Sequence, residues 1–443
     1  MTKSVLLSLL EEKKFKSIHE VLSQYNPVDL ASLFSELNEK DLVLVFRMLE
    51  KTKAADVFAY MDNDIRQTLL SGFSDLEIQS ILESMFTDDV VDFLEDMPAN
   101  VVTKLLEKVD KSTRTDINKI LQYADGSVGS IMTTEFVELR PQMTIKNALE
   151  KIRNVGIESE TIYTCYVVEK QKLVGVISAK TMLTNPDTSV IDDLMTDNFI
   201  FAKTSDDREY TANLFRKYGL IAIPVVDGEG CIVGIVTFDD AIEVLTEETT
   251  EDIHKMAAIT ASDESYLKAS VFTHAKNRIG WLLILMLSAT ITGRILANYE
   301  ATFAVIPLLV SFIPMLMDTG GNCGSQSATL VIRGLAVDEL HFADFFKIIW
   351  KEFRVSLLVG LVLTLANGLR IYIFYHDIRL TIVICASLLL TVIIAKLVGC
   401  SLPILAKRCG LDPAIMAAPL ITTIVDTCSI MIYFKIATII LNL

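Results

Sequence analysis

The 443-residue chain lacks the marks of a disulfide scaffold and of the common membrane enzymes. Seven cysteines (165, 231, 323, 385, 400, 409 and 428) are scattered with no C-x-x-C pair. That spacing suggests neither a disulfide framework nor a zinc site and leaves them as small packing residues in a reducing compartment. Of the five histidines (19, 254, 274, 341 and 376), none falls inside an apolar stretch, and His19-Glu20 is followed by Val-Leu-Ser. The H-E-x-x-H helix of a metalloprotease is therefore missing, and so is the G-x-x-x-x-G-K-[ST] loop of an ATP-driven pump. No enzyme is expected. Residues 1–275 have no apolar run of about 20 residues, the length that spans a bilayer. The short run Val5–Leu10 is closed by Glu11 and Glu12 without a small-residue cleavage site, so no signal peptide is expected.

What is present is divided unequally. From Lys276 to Leu443 there are 13 Lys and Arg against 9 Asp and Glu, a net of +4, leaving 27 against 47, a net of −20, for residues 1–275. All the long apolar stretches lie in the back half: Ile279–Ala297, Phe303–Met317 with its continuation, Val355–Phe374, Leu380–Leu405 and Ile415–Leu441. Five spans are expected. Lys276 and Arg278 precede the first, Arg333, Lys347, Lys351 and Arg354 lie between the second and third, and Lys407 and Arg408 between the fourth and fifth. This bias places those loops and the acidic front half in the cytosol and the C-terminus outside, in a multi-pass protein of the cell membrane.

The front half changes period once. Residues 1 to about 127 alternate paired apolar positions with short breaks such as Tyr25-Asn26-Pro27 and Gly72-Phe73-Ser74-Asp75, which predicts a superhelical all-α domain of short helices. From Ile131 strand-like runs take over. Tyr163–Glu169 and Lys172–Ser178 recur as Ile221–Asp227 and Cys231–Thr237, each copy opening on Met-Thr at 132–133 or 195–196. This internal repeat, with V-G-[VI]-[IV]-[ST] strands about sixty residues apart, resembles a tandem CBS-domain pair over 128–190 and 191–246, an α/β module. Such pairs bind adenosine nucleotides or cations. Thr237-x-x-Asp240 fits the hydroxyl-plus-carboxylate pattern used on a ribose, whereas the first copy has Ser178-x-x-Thr181 and no acid. At most one nucleotide site, for a ligand such as ATP, is expected. Residues from Ala241 to about Ala275 contain no Gly or Pro and predict one continuous connecting helix, with 247–275 leading to the membrane domain at 276–443.

Two features of the apolar half carry chemistry. Pro307, Pro314 and Asp318-Thr-Gly-Gly-Asn-Cys-Gly-Ser-Gln326 predict a broken helix at membrane depth, tolerated only where backbone is buried or lines a wet cavity. Gly320-x-x-x-Gly324 is equally a helix-packing motif, although packing alone does not require Asn322 and Gln326. Asp426 lies well inside the fifth span, where a carboxylate costs about 2.5–3.5 kcal/mol on insertion scales. Its partner is a transported cation or, structurally, Lys396, with Lys435 less favoured and protonation a further alternative. One carboxylate with backbone carbonyls and amide side chains suits a mostly hydrated Mg2+ better than Ca2+.

The Pro307-to-Gln326 element, the Pro-bearing fifth span with its Asp, the CBS pair and the helical front together resemble the MgtE family of magnesium channels over essentially the whole chain. The resemblance implies a homodimer with the pore at the subunit interface. It also implies Mg2+ held by Asp426 and by carbonyls around Ala418 and Thr422, with Asn322 lining the path and Cys323 of no consequence. Lipid, Mg2+ and a second copy are the implied partners, and nucleic acid is not.

Acids also crowd the front half. Asp88, Asp89, Asp92, Glu95 and Asp96 share one stretch, and Asp240, Glu243, Glu247, Glu248, Glu251 and Asp252 another. Alone these read as solvated faces. By the resemblance, the run at Glu248, Glu251 and Asp252 is a plug helix, and Asp88, Asp92, Asp207, Glu209 and Asp240 bind regulatory Mg2+ that closes the pore. Driving a gate from 1:99 to 99:1 takes about 5.5 kcal/mol, and one site at ten times its dissociation constant supplies about 1.4 kcal/mol, so roughly four sites are needed. A cation sensor without transport and an ion-coupled carrier are the competing readings.

Overall fold

The computed structural model describes residues 3–441 except 96, 263–265, 268, 300–305 and 417. The expected positions Asp96 and Phe303 are therefore outside the described residues. Two compact units divide the chain, Met1–Leu245 and Thr246–Leu443.

The first unit opens with ten helices of eight to ten residues, α1 to α10: Lys3–Glu11, Phe15–Gln24, Pro27–Phe34, Glu39–Phe46, Lys51–Ala59, Asn63–Gly72, Asp75–Leu82, Thr87–Glu95, Ala99–Leu106 and Lys111–Ile120. The short breaks seen in sequence are caps. Asn26 accepts the Val28 N–H (3.0 Å) with Pro27 opening α3. Ser74 and Glu77 form a reciprocal capping box on α7, and Asp110 accepts from Ser112 and Thr113 at the start of α10. Each cap satisfies N–H groups the helix cannot reach itself. Isolated helices this short are unstable in water, so stacking holds them. Phe34, Phe46, Phe58 and Phe93 meet in succession at centroid distances of 6.4, 6.4 and 5.2 Å, all edge-to-face.

Two three-stranded sheets follow: β1 (Phe136–Leu139), β2 (Thr161–Glu169) and β3 (Lys172–Ser178), then β4 (Ala202–Lys203), β5 (Ala222–Val226) and β6 (Ile232–Thr237). In each sheet the first strand runs parallel to the second and the second antiparallel to the third. The crossover helices are α11 (Ile145–Val155) and α13 (Arg208–Tyr218), and α12 (Ala179–Thr184) follows β3. The copies exchange their opening segments. Thr133 N–H donates to Ile235 in the second copy (2.8 Å), and Thr196 N–H to Val176 in the first (2.8 Å). This exchange explains the glycine in each repeated strand. A Cβ on Gly175 would lie 2.6 Å from the Met195 sulfur, and one on Gly234 2.7 Å from the Thr133 carbonyl.

Helix α14 (Phe238–Met256) begins after β6. The continuous helix expected to about Ala275 does not form. It ends at Met256, with Ala258 in the left-handed region (φ 54°) and Ile259 N–H returning to the His254 carbonyl (2.9 Å). Thr260 N–H then donates to Asn277 (2.9 Å), and a new helix, α15 (Val271–Asn298), starts at the Ser270 cap. The reversal closes in αL without glycine, so the sequence carries no sign of it.

The second unit continues with a 3-10 turn at Pro307–Phe312 and helices α16 (Ile313–Ala336), α17 (Phe345–Tyr375), α18 (Ile378–Arg408) and α19 (Ala418–Leu441). Among the described residues four segments are long and apolar enough to cross a membrane: Val271–Asn298, Phe342–Tyr375, Ile378–Arg408 and Pro413–Leu441. Helix α16 has the length, 24 residues, but Asp318, Asn322, Gln326 and their polar neighbours dilute its apolar content. It packs most extensively against α18 and α19.

Candidate functional site

The polar element of the second unit is not a broken helix. Helix α16 runs unbroken through Gly320, Gly321 and Gly324, and the irregular backbone lies before it, at Pro307–Phe312. The glycines instead allow close approach. A Cβ would sit 2.7 Å from Thr391 at Gly320, 3.0 Å from Thr422 at Gly321 and 2.7 Å from Ile421 at Gly324. The packing alternative thus accounts for the glycines, and buried Cys323 joins that packed side.

The polar residues take the opposite role. Asp318, Asn322 and Gln326 are spaced four apart and are all exposed, while Gly320, Gly321, Cys323 and Gly324 between them are buried. At about 100° per residue these three form one stripe. Asp318 is close enough to act electrostatically on Asp426 of α19. In sequence Asp318 stands as the start of the polar run without a role of its own, although its i, i+4 relation to Asn322 was the available signal.

Asp426 is half-buried, and no ion pair to it occurs among the described residues. The structural alternative, a pair with Lys396, does not form. Lys396 Nζ donates to Ser327 Oγ (3.2 Å) and lies 3.7 Å from Glu352 Oε2. Ala418 opens α19 and Thr422 follows one turn later. The Thr422 and Thr423 hydroxyls both donate to the Pro419 carbonyl (2.9 and 3.0 Å).

A second group of carboxylates forms in the first unit, where α8 approaches the start of α14. Asp88 is 7% exposed and accepts from the Asp89 N–H (2.9 Å). Burial, reinforced by Asp240, Asp89 and Glu160, pushes its carboxyl well above the ordinary range. Burial raises Asp89 to about 6 despite nearby Arg66. It raises Asp240 to about 7 although Thr237 donates to that carboxylate (2.6 Å), and Glu160 to about 8 with help from Asp239 and Asp240. Glu160 Oε2 is buried without a hydrogen-bond partner. Desolvation and like-charge crowding act in the same direction here. Asp92 stands on the same helix, with Glu243 and Asp240 acting on it. Glu160 was not singled out in sequence, because it lies in a loop that only folding brings beside α8. Its neighbour Glu135 is satisfied, accepting from Thr133 (2.6 Å) and the Thr134 N–H (3.1 Å).

Other expected acids lie elsewhere. Asp207 caps α13 by accepting the Tyr210 N–H (2.8 Å), and Glu209 stands in that helix's first turn. Glu248, Glu251 and Asp252 lie toward the end of α14, within the second unit. There Lys255 Nζ bridges Glu251 and Asp412, each at 2.6 Å, and Met256 packs on the apolar core of the helical bundle. Burial, with Asp412 next, raises Asp252 to about 6. Among the described residues no three His, Cys, Asp or Glu side chains gather as a direct metal cage.

Comparison with known proteins follows this division. Residues 313–436 match a family model described as a divalent cation transporter, MgtE. Residues 25–126 match the MgtE intracellular N domain, and 128–186 and 191–247 match CBS domains. The magnesium transporter MgtE of Thermus thermophilus is 35% identical over 442 residues, 99% of this chain and 98% of the relative. That of Bacillus subtilis is 30% identical over 434 residues, 98% and 96%. A crystal structure of the cytosolic domain of the Mg2+ channel MgtE in complex with ATP aligns with 55% of this chain and 99% of its own, at TM-score 0.52 and 31% identity.

Proposed function

Since this chain belongs to the MgtE family of transporters, we propose that it carries Mg2+ into the cell, down its electrochemical gradient, through a pore that cytosolic Mg2+ closes. The observation that carries this reading is the unmatched carboxylate of Asp426 beside the exposed stripe of Asp318, Asn322 and Gln326. Polar groups at membrane depth are costly when they face lipid, and a helix bundle that leaves such a stripe on its surface is complete only when something polar covers it. A second copy of the chain placed against this face encloses a water-lined path, with five spans per subunit counting α16. Mg2+ keeps its waters and takes one or two carboxylates, which suits Asp426 with Asn322 and the carbonyls at Ala418 and Thr422, each of which retains a second lone pair within its helix.

Closure is assigned to the acids. The group around Asp88, Asp89, Asp92, Asp240 and Glu160 offers hard oxygen donors that burial makes expensive to ionise, and a divalent cation relieves that cost. With no direct cage among the described residues, the ion they fit is hydrated. At the end of α14, Glu248, Glu251 and Asp252 supply further charge beside Asp412, which precedes the 3-10 turn Pro413–Met416 leading to α19, and Asp207 and Glu209 are assigned to a further regulatory site. The ATP bound to the 31% identical cytosolic domain makes an adenosine nucleotide the organic ligand to test at Thr237 and Asp240. On this reading the first unit and both inter-helix loops rich in Lys and Arg are cytosolic, and the C-terminus is outside.

The test is Mg2+ flux into proteoliposomes of the purified protein with Mg2+ varied on the cytosolic side. Flux that falls as cytosolic Mg2+ rises, and loses that fall when Glu248, Glu251 and Asp252 are neutralised together, supports the reading. An absence of flux at every Mg2+ concentration leaves a sensor. Flux that depends on a Na+ or H+ gradient makes it a carrier.

A further inference from the structure

One set of buried charges takes no part in the cation path described above. Lys396 lies near the middle of α18 and is 5% exposed. Ser327 of α16 is fully buried. It accepts from Lys396 Nζ (3.2 Å) and donates to Glu352 Oε2 of α17 (2.7 Å), and the ammonium lies 3.7 Å from the same carboxylate oxygen. Three helices thus meet in one hydrogen-bonded unit whose charges cancel. It sits beside a close helix crossing, where a Cβ on Gly399 would fall 2.2 Å from the Gly324 carbonyl. On α16, Ser327 is five residues beyond Asn322, about 140° round the helix. The unit therefore grips the back of the helix whose front carries the polar stripe.

We propose that Lys396 and Glu352, joined through Ser327, are positioning residues for cation passage: as a matched pair they keep the wall behind the path electrically neutral. A Lys alone would place a positive charge one helix width behind Asn322 and oppose a cation. A Glu alone would leave an uncompensated carboxylate in apolar surroundings. Removing one member of a buried pair is far more harmful than replacing both, because only the first leaves an unpaired charge.

The inference rests on the transport reading, and the experiment separates the two. Mg2+ flux into proteoliposomes is measured for wild type, Glu352→Gln, Lys396→Met and the Lys396→Met/Glu352→Gln double variant, recording maximal flux and half-saturating Mg2+. Glu352→Gln is expected to lower maximal flux about tenfold or more and raise half-saturation, since the bare ammonium repels the ion. Lys396→Met is likewise expected to lower maximal flux, since it leaves the Glu352 carboxylate unpaired. The double variant returns to within about threefold of wild type. Its recovery shows that the defect in each single variant is one of charge. A double variant as impaired as Glu352→Gln, or single variants indistinguishable from wild type, overturns the inference. Absence of flux in wild type overturns the transport reading instead.

Discussion

The two units bury charge in opposite ways. In the helical bundle, Lys396 and Glu352 are matched within the chain and joined through Ser327. In the first unit, Asp88 is buried among Asp89, Asp240 and Glu160, and no basic side chain pairs with it among the described residues. A buried charge is retained only if something cancels it. Where the chain supplies the counter-charge, the group is structural and constant. Where it does not, cancellation comes from a proton or an external cation, and the stability of that region follows their concentration. Asp426 sits in the same bundle as the matched pair, yet no basic side chain pairs with it among the described residues.

The sharpest way to test this division is Asp426→Asn, which keeps shape and removes the charge. Flux is expected to fall at least about 100-fold, as for a buried charged contact worth about 3 kcal/mol or more, with the detergent-solubilised protein still folded. Unchanged flux would move Asp426 into the structural class. Next is Gly399→Ala. A methyl 2.2 Å from the Gly324 carbonyl has no flexible neighbour to displace, so a loss of about 1–3 kcal/mol should appear as a lowered Tm and poor recovery of the purified protein.

The acidic group gives a pH prediction with a definite sign. Carboxyls raised to about 6, 7 and 8 in Asp89, Asp240 and Glu160 bind more protons folded than unfolded. Their contribution to stability is therefore fully present below the ordinary carboxylate range, near pH 4, and is lost as pH rises through those values. Without Mg2+, the Tm of the first transition should fall between pH 5 and 8. Saturating Mg2+ should flatten that slope, and Asp88→Asn should weaken both the slope and the Mg2+ response. A Tm independent of pH and Mg2+ would refute the assignment.

The smallest effect is expected at Lys255. Its bridges to Glu251 and Asp412 are partly exposed, a class worth about 0.2–1 kcal/mol. A double-mutant cycle of Lys255→Met with Asp412→Asn, read as flux at inhibitory Mg2+, should give a coupling of that size and somewhat higher residual flux in each single variant.

Much of the architecture was legible because it rests on local rules. The breaks at Asn26 and Ser74, which the structure makes caps, and the twice-repeated strand pattern announce themselves in the residues. The expected strand Lys172–Ser178 is β3 as observed. Less legible were features decided by neighbours distant in sequence. The glycines of α16 have the same appearance whether they break a helix or let another approach, and only Thr391, Ile421 and Thr422 against them decide it. Lys396 was weighed as a partner for Asp426, yet its true neighbour Glu352 lies among Lys351 and Arg354, which read as loop charge. Helix α17 already begins at Phe345 and carries Glu352 two turns inward. The end of α14 at Met256 leaves no trace in composition, since Ala257 and Ala258 are good helix formers and the reversal is held by hydrogen bonds to His254 and Asn277.

The contact between Gly324 and Gly399 also limits how the bundle can change shape. Helices that touch backbone to backbone have no layer of side chains to act as a bearing. Sliding α18 along α16 would bring residues that carry side chains toward a gap sized for hydrogen. The pair can tilt about this point but not shear through it. Widening beside Asn322 by shear of α18 along α16 is therefore disfavoured, and relative tilt about the seam is the motion this contact leaves open.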